Sequence, residues 1–100
     1  MNKVILMGRL TREPEMFGQK TKVARFTLAV DRSYGEDETD FFNCVSFGKQ
    51  AEFVEKYLKK GTKILLSGRL QNNNYEDKQG NKVTATQIIT EDIEFCESKK

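Results

Sequence analysis

Residues 22–32 alternate in strict period two, with Ala24, Phe26, Leu28 and Val30 on one side and Arg25, Thr27 and Ala29 on the other. Successive side chains of a strand point to opposite faces, so this stretch predicts a half-buried strand with the first set inward. Residues 3–11 also read as a strand, but Val4-Ile5-Leu6-Met7 is apolar on both faces before Gly8-Arg9-Leu10. Glu13-Pro14-Glu15 carries the only proline and ends that strand. The run over residues 40–49 predicts a third strand, and it is aromatic on both faces. Phe41, Asn43, Val45 and Phe47 share one side; Phe42, Cys44 and Ser46 share the other. A small domain buries one apolar face readily. The second face needs its own explanation: one face for the core, the other as a platform for a flat ligand.

The period then changes. Over residues 49–60, Ala51, Val54, Tyr57 and Leu58 fall at helical spacing with Lys and Glu between them. Lys59 and Lys60 suit a helix C-terminus, and Gly61 the left-handed residue just past it. Residues 62–70 return to strand, 71–82 form a polar hairpin with Gly80 that extends its flanking strands, and 83–95 form the last strand. The order β-β-β-α-β-β predicts a mainly all-β chain: an OB-fold, a five-stranded Greek-key barrel with one helix between the third and fourth strands. One domain covers residues 1–100. An internal echo supports closure, since Ile5-Leu6-Met7-Gly8-Arg9-Leu10 resembles Leu65-Leu66-Ser67-Gly68-Arg69-Leu70. Glycine inside a strand marks a bulge or sharp bend, which small barrels need.

Composition narrows the function classes. No apolar run approaches the roughly 20 residues of a membrane helix, and the start shows no signal or transit peptide. Cys44 and Cys96, 52 positions apart, have neither disulfide-framework nor zinc spacing and read as buried free thiols of a cytoplasmic protein. The absence of histidine removes the commonest general base and metal ligand. No Walker-type loop or nucleophile elbow is present. The chain therefore reads as a non-enzyme without cofactor or metal. The net charge of +2 is small, but Glu36, Asp37, Glu38 and Asp40 crowd one loop, leaving eleven acids against seventeen bases elsewhere.

Unpaired nucleic acid is bound by stacking bases on aromatic rings in a positively charged groove. Four aromatics lie where a core does not obviously require them: Tyr34 in a loop, Phe41 and Phe47 on the third strand, and Tyr75 in the hairpin. Arg32 lies beside Tyr34, Lys49 beside Phe47, Lys78 beyond Tyr75, and Arg25 on the outer face of the second strand. Alternation alone favours the opposite for the third strand. The face with Phe41, Val45 and Phe47 is the more apolar, which would put it inward and leave Phe42 as the exposed ring.

The chain closely resembles the bacterial-type single-stranded DNA-binding protein family. The resemblance is carried by residues 1–15, Ala24-Arg25-Phe26-Thr27-Leu28-Ala29-Val30, Asp40-Phe41-Phe42-Asn43-Cys44-Val45 and Phe47-Gly48-Lys49-Gln50-Ala51-Glu52. Tyr57-Leu58-Lys59-Lys60-Gly61, Gly68-Arg69-Leu70-Gln71 and Tyr75-Glu76-Asp77-Lys78-Gln79-Gly80 complete it. It implies an OB-fold that stacks bases of single-stranded DNA on Tyr34, Phe41, Phe47 and Tyr75. This reverses the parity reading: Phe41, Asn43, Val45 and Phe47 would face DNA, with Phe42, Cys44 and Ser46 turned inward or toward a subunit interface. Lys49 and Lys60 match basic contact positions, and Lys3, Arg9, Arg25 and Arg69 are further contacts.

The resemblance also implies a homo-oligomer, a tetramer with a dimer as the alternative, in which the doubly apolar first strand pairs subunits. The implied role is protection of unpaired DNA in replication, recombination and repair, in a bacterial cytoplasm or nucleoid or a phage-infected cell. Two other readings stand beside it: an OB module that docks another protein, and a metal-dependent nuclease using Asp31, Asp37 and Asp40. Relatives carry tryptophan at some stacking positions, and basic residues where this chain has Asn73 and Asn74. Most continue past the barrel into a flexible linker and an acidic tip. This sequence stops at Glu97-Ser98-Lys99-Lys100, so tail-dependent recruitment of repair enzymes is not expected; a truncated core and a natural short form are both open.

Overall fold

A computed structural model describes residues 1–32 and 38–96. In chain order the elements are β1 (Val4–Leu10), β2 (Glu15–Phe17), β3 (Val23–Asp31), β4 (Thr39–Phe47), α1 (Lys49–Tyr57), β5 (Lys63–Glu76) and β6 (Lys82–Phe95). Five strands form a ring in the order β1-β5-β6-β4-β3, with β3 returning to β1. Two short contacts close it: Arg9 and Leu10 pair with Ala29 and Leu28, and β4 runs parallel to β6 at Cys44–Ile88 and Val45–Ile89. The remaining pairings are antiparallel. This is the OB barrel expected from the element order, with the helix between β4 and β5.

The strand β2 was not anticipated. It pairs only with β3, outside the ring, in the register Glu15–Arg25, Met16–Ala24 and Phe17–Val23. Pro14 lacks an N–H for a ladder, and the chain resumes pairing at the next residue. Proline here interrupts the sheet and does not end it.

Gly8 and Gly68 are two points of close backbone approach. A Cβ on Gly8 would collide with the Ala29 carbonyl oxygen, and one on Gly68 with the Ile89 carbonyl oxygen. The β1–β5 ladder runs unbroken through Gly8, but at Gly68 the β5–β6 register shifts, so that Glu91 is bulged out and the strand pair turns a corner. The repeated Gly-Arg-Leu thus marks two places where backbones approach too closely for any side chain. Beyond this corner β5 and β6 continue paired to Glu76–Lys82, the extended hairpin that the sequence predicted. Two side-chain bonds tie its strands: Thr84 Oγ1 donates to Asn74 Oδ1 at 2.9 Å, and Thr86 Oγ1 to Asn72 Oδ1 at 3.2 Å.

The barrel interior holds Leu10, Ala24, Phe26, Leu28, Cys44, Ile64, Leu66, Ile88 and Ile93; α1 covers it with Ala51 and Val54, and Leu58 adds to the cover just past the helix. Each large apolar side chain fully removed from water contributes about 1.5–3 kcal/mol. The helix is shorter than its predicted span of 49–60. It ends at Tyr57 because Leu58, at φ −102° and ψ 134°, turns extended to bury its side chain. Gly61 has the expected positive φ of 86°, but within the turn after the helix. There the Thr62 N–H donates to the Lys59 carbonyl at 3.0 Å, and the Gly61 N–H reaches the Leu10 carbonyl at 2.8 Å. Tyr57 is exposed, not core, and forms an aromatic cluster with Phe53 and Phe95. Cys44 is buried as expected; Cys96 is only half-buried.

Candidate nucleic-acid interface

The two faces of β4 are resolved by what the barrel can hold. Cys44 and Ser46 are 1% and 0% exposed, and Phe42 packs half-buried against the core. The Ser46 and Thr90 hydroxyls lie 2.6 Å apart, so Ser46 is buried with its polar group satisfied. Small residues fit here because Phe26, Leu28 and Ile88 already fill the interior. Phe41 is 65% exposed and Phe47 47%, both on the outer side. Parity alone therefore pointed the wrong way, and the face implied by the family resemblance is the outer one. Val45 departs from its neighbours: it is outward by alternation yet only 4% exposed.

Val45 is covered because it floors a groove of about 270 Å³ on the outer face of β3 and β4. Arg25, Thr27 and Asn43 share that floor, in the register Arg25–Val45 and Thr27–Asn43. Asn73, Ala85 and Gln87 of the β5–β6 hairpin form one wall, and Arg12, Glu13 and Glu15 form the other. Tyr75, half exposed, stands opposite Val83, two residues along from the Asn73–Ala85 pair and on the same side of the hairpin. The fold thus gathers Phe41, Asn43, Phe47 and Arg25 on one outer surface and sets Tyr75 on the wall beside it. Tyr34 lies outside the described residues.

The cations are distributed around this surface with different degrees of engagement. Lys49 is exposed at the start of α1, directly after the Phe47–Gly48 corner. Arg9 continues the cross-strand row Arg9–Ala29–Phe41 and donates from Nη1 to the Gly61 carbonyl at 2.9 Å. Lys60 is exposed in the adjoining turn, its backbone N–H held by Glu13 Oε2 at 2.9 Å. Arg69 is exposed across from Ile89, which neighbours Val45. Lys3 lies toward the α1 side, ion-paired with Glu91 at 3.3 Å; the Glu91 carbonyl also accepts from Gln50.

Arg32 is occupied by carboxylates. Its guanidinium grips Asp40 through two bonds, at 3.0 and 3.1 Å, and reaches Glu38 at 3.1 Å. The hydrogen bonds from Arg32 hold the Asp40 carboxyl below its ordinary range. Asp31 accepts from the Thr39 hydroxyl at 2.9 Å. Asp37 lies outside the described residues, and among those described no cluster of His, Cys, Asp or Glu is grouped to hold a metal ion. No described helix is long and apolar enough to cross a membrane.

Sequence reading missed one exposed ring on this surface. Phe17, at the end of β2, is 48% exposed, and the Arg25 guanidinium carbon lies 5.4 Å from its ring centre. An aromatic flanked by a glycine turn with Lys20 and Lys22 was the available signal. A separate apolar patch lies on the outer side of β1, where Ile5 is 64% and Met7 50% exposed.

The chain matches the model of the single-strand binding protein family over residues 1–96. It is 50% identical to a single-stranded DNA-binding protein of Fusobacterium nucleatum, over 99% of this chain and 69% of that protein. Single-stranded DNA-binding protein 1 of Staphylococcus aureus is 49% identical, covering 99% of this chain and 67% of its own length. A single-stranded DNA-binding protein of Clostridium perfringens is 43% identical, over 98% and 67%. With a match that spans its whole barrel, the chain belongs to the single-strand binding protein family.

Proposed function

We propose that this protein binds single-stranded DNA without strong sequence preference and performs no catalysis. The observation that carries this reading is the placement of Phe41 and Phe47 on the open face of β4 while Phe42 packs inward. Exposed rings at this density on a folded sheet are costly to leave in water, and a base stacked on one buries a face of the ring and a face of the base together. Tyr34, Phe41, Phe47 and Tyr75 stack bases; Asn43 presents an amide from the groove floor. Lys49, Lys60, Arg25 and Arg69 contact phosphates, and so do Lys3 and Arg9 once their present partners are exchanged.

The protein works as a homo-oligomer, a tetramer in preference to a dimer. Ile5 and Met7 support this, since an exposed apolar strip on an ordered strand is best covered by another copy of itself. The role is to cover unpaired DNA during replication, recombination and repair in the cytoplasm or nucleoid. Fluorescence anisotropy of labelled oligo-dT, titrated with the protein at low salt, tests the reading. Saturable binding with little difference between oligo-dT and mixed-sequence strands is expected. No binding at low salt would refute it, and binding restricted to one sequence would refute its tolerance.

A further inference from the structure

Phe47, Val23 and Phe17 stand in one row across three strands, since Val23 pairs with Phe47 on one side and with Phe17 on the other. Directly opposed residues of antiparallel strands point to the same face, so both rings lie on the outer surface, roughly 10 Å apart. Phe17 is as exposed as Phe47. Nothing in the fold requires a large ring there, because β2 lies outside the barrel and Phe17 does not contribute to the core.

The surroundings are basic. Arg25 sits against the Phe17 ring, and the turn after it carries Lys20 and Lys22. Lys22 is tied to Glu55 at 2.6 Å, and Glu15 stands opposite Arg25 in register. With Lys49 beyond Phe47, cations still outnumber acids along the row. An aromatic ring paired with a guanidinium suits a nucleotide: the ring takes the base and the cation the adjoining phosphate.

We infer that Phe17 and Arg25 form an additional nucleotide subsite, extending the single-stranded DNA path from Phe47 across Val23 onto β2. This rests on the reading of Phe47 as a stacking residue. It goes beyond it by adding a platform that belongs to no barrel strand.

The chain contains no tryptophan, so a single Phe17→Trp or Phe47→Trp substitution gives an unambiguous reporter. Oligo-dT of about 4 and about 16 nucleotides brackets the length covered by one OB barrel. Emission of F47W should be quenched by the longer strand, and so should that of F17W. Phe17→Ala should weaken binding of the longer strand by about 5- to 150-fold, the loss of one stacked base, with less effect on the shorter strand. Quenching of F47W with F17W unchanged would overturn the β2 subsite and leave the proposed function intact. Failure of both reporters to respond would overturn both. If Phe17→Ala shifts the sedimentation coefficient of the free protein and leaves affinity unchanged, Phe17 is a subunit contact and the subsite is refuted.

Discussion

The hydroxyls of Ser46 and Thr90, 44 residues apart in sequence, share a 2.6 Å hydrogen bond inside the barrel. That bond lets a polar residue occupy the inner face of β4 and leaves the neighbouring Phe47 outside. Ser46→Ala should strand the Thr90 hydroxyl and destabilise the fold by about 1–3 kcal/mol. Removing both with Thr90→Val should cost less than the sum of the single changes. Urea unfolding of the four variants measures this; strictly additive losses would deny the coupling.

The hairpin tip depends on one carboxylate. The Asp77 carboxyl is held below its usual 3.8, first by the Asn81 backbone N–H and then by the Gln79 N–H and the Asn81 amide. Because the folded state lowers this pKa, the contribution to stability is complete above 3.8. It is lost as pH falls through the lower folded value. The amide resonances of Gln79 and Asn81 should therefore stay constant from pH 7 to pH 5 and move only in acid. Asp77→Ala should abolish the transition.

The two thiols should behave differently. Burial pushes the Cys44 thiol up to about 12, whereas Cys96 is half-buried near the end of β6. At pH 8 a thiol reagent should label one cysteine per folded chain and the second only in denaturant. Rapid labelling of Cys44 in the native protein would contradict the inward face of β4.

Phosphate contacts make affinity salt-dependent, with a log–log slope of about −0.7 for each phosphate engaged on a single strand. Lys49→Ala and Arg25→Ala should each reduce the magnitude of that slope by about 0.7. Circular dichroism should show their folds unchanged, since both side chains are exposed. A slope insensitive to both substitutions would remove these cations from the interface.

Much of the barrel was legible because its strands and helix have clean periods. Ala24, Phe26 and Leu28 pointed inward as their alternation indicated, and Ala51 and Val54 as their helical spacing did. The face of β4 was not legible, because hydrophobicity marks a core and a stacking platform alike. The partner that makes Ser46 an inner residue lies on another strand, beyond the reach of any local pattern. Strand β2 escaped because three residues are too few to display alternation and Pro14 stood at its threshold. The helix end was misjudged because Leu58 has helical spacing, yet is buried from an extended backbone just past the last turn. Tyr34 and Tyr75 were legible from their polar surroundings, the outward face of Phe41 and Phe47 came from family resemblance, and the geometry supplies exposure for Phe41, Phe47 and Tyr75.

The outer face of β4 as the DNA platform is tested most directly by Phe47→Ala set against Phe42→Ala, each assayed for oligo-dT affinity and for melting temperature. Phe47→Ala should weaken binding by about 1–3 kcal/mol with melting nearly unchanged. Phe42→Ala should lower the melting temperature through the cavity it leaves. Phe47→Ala that melts early, or that binds oligo-dT as tightly as the parent protein, would contradict the account.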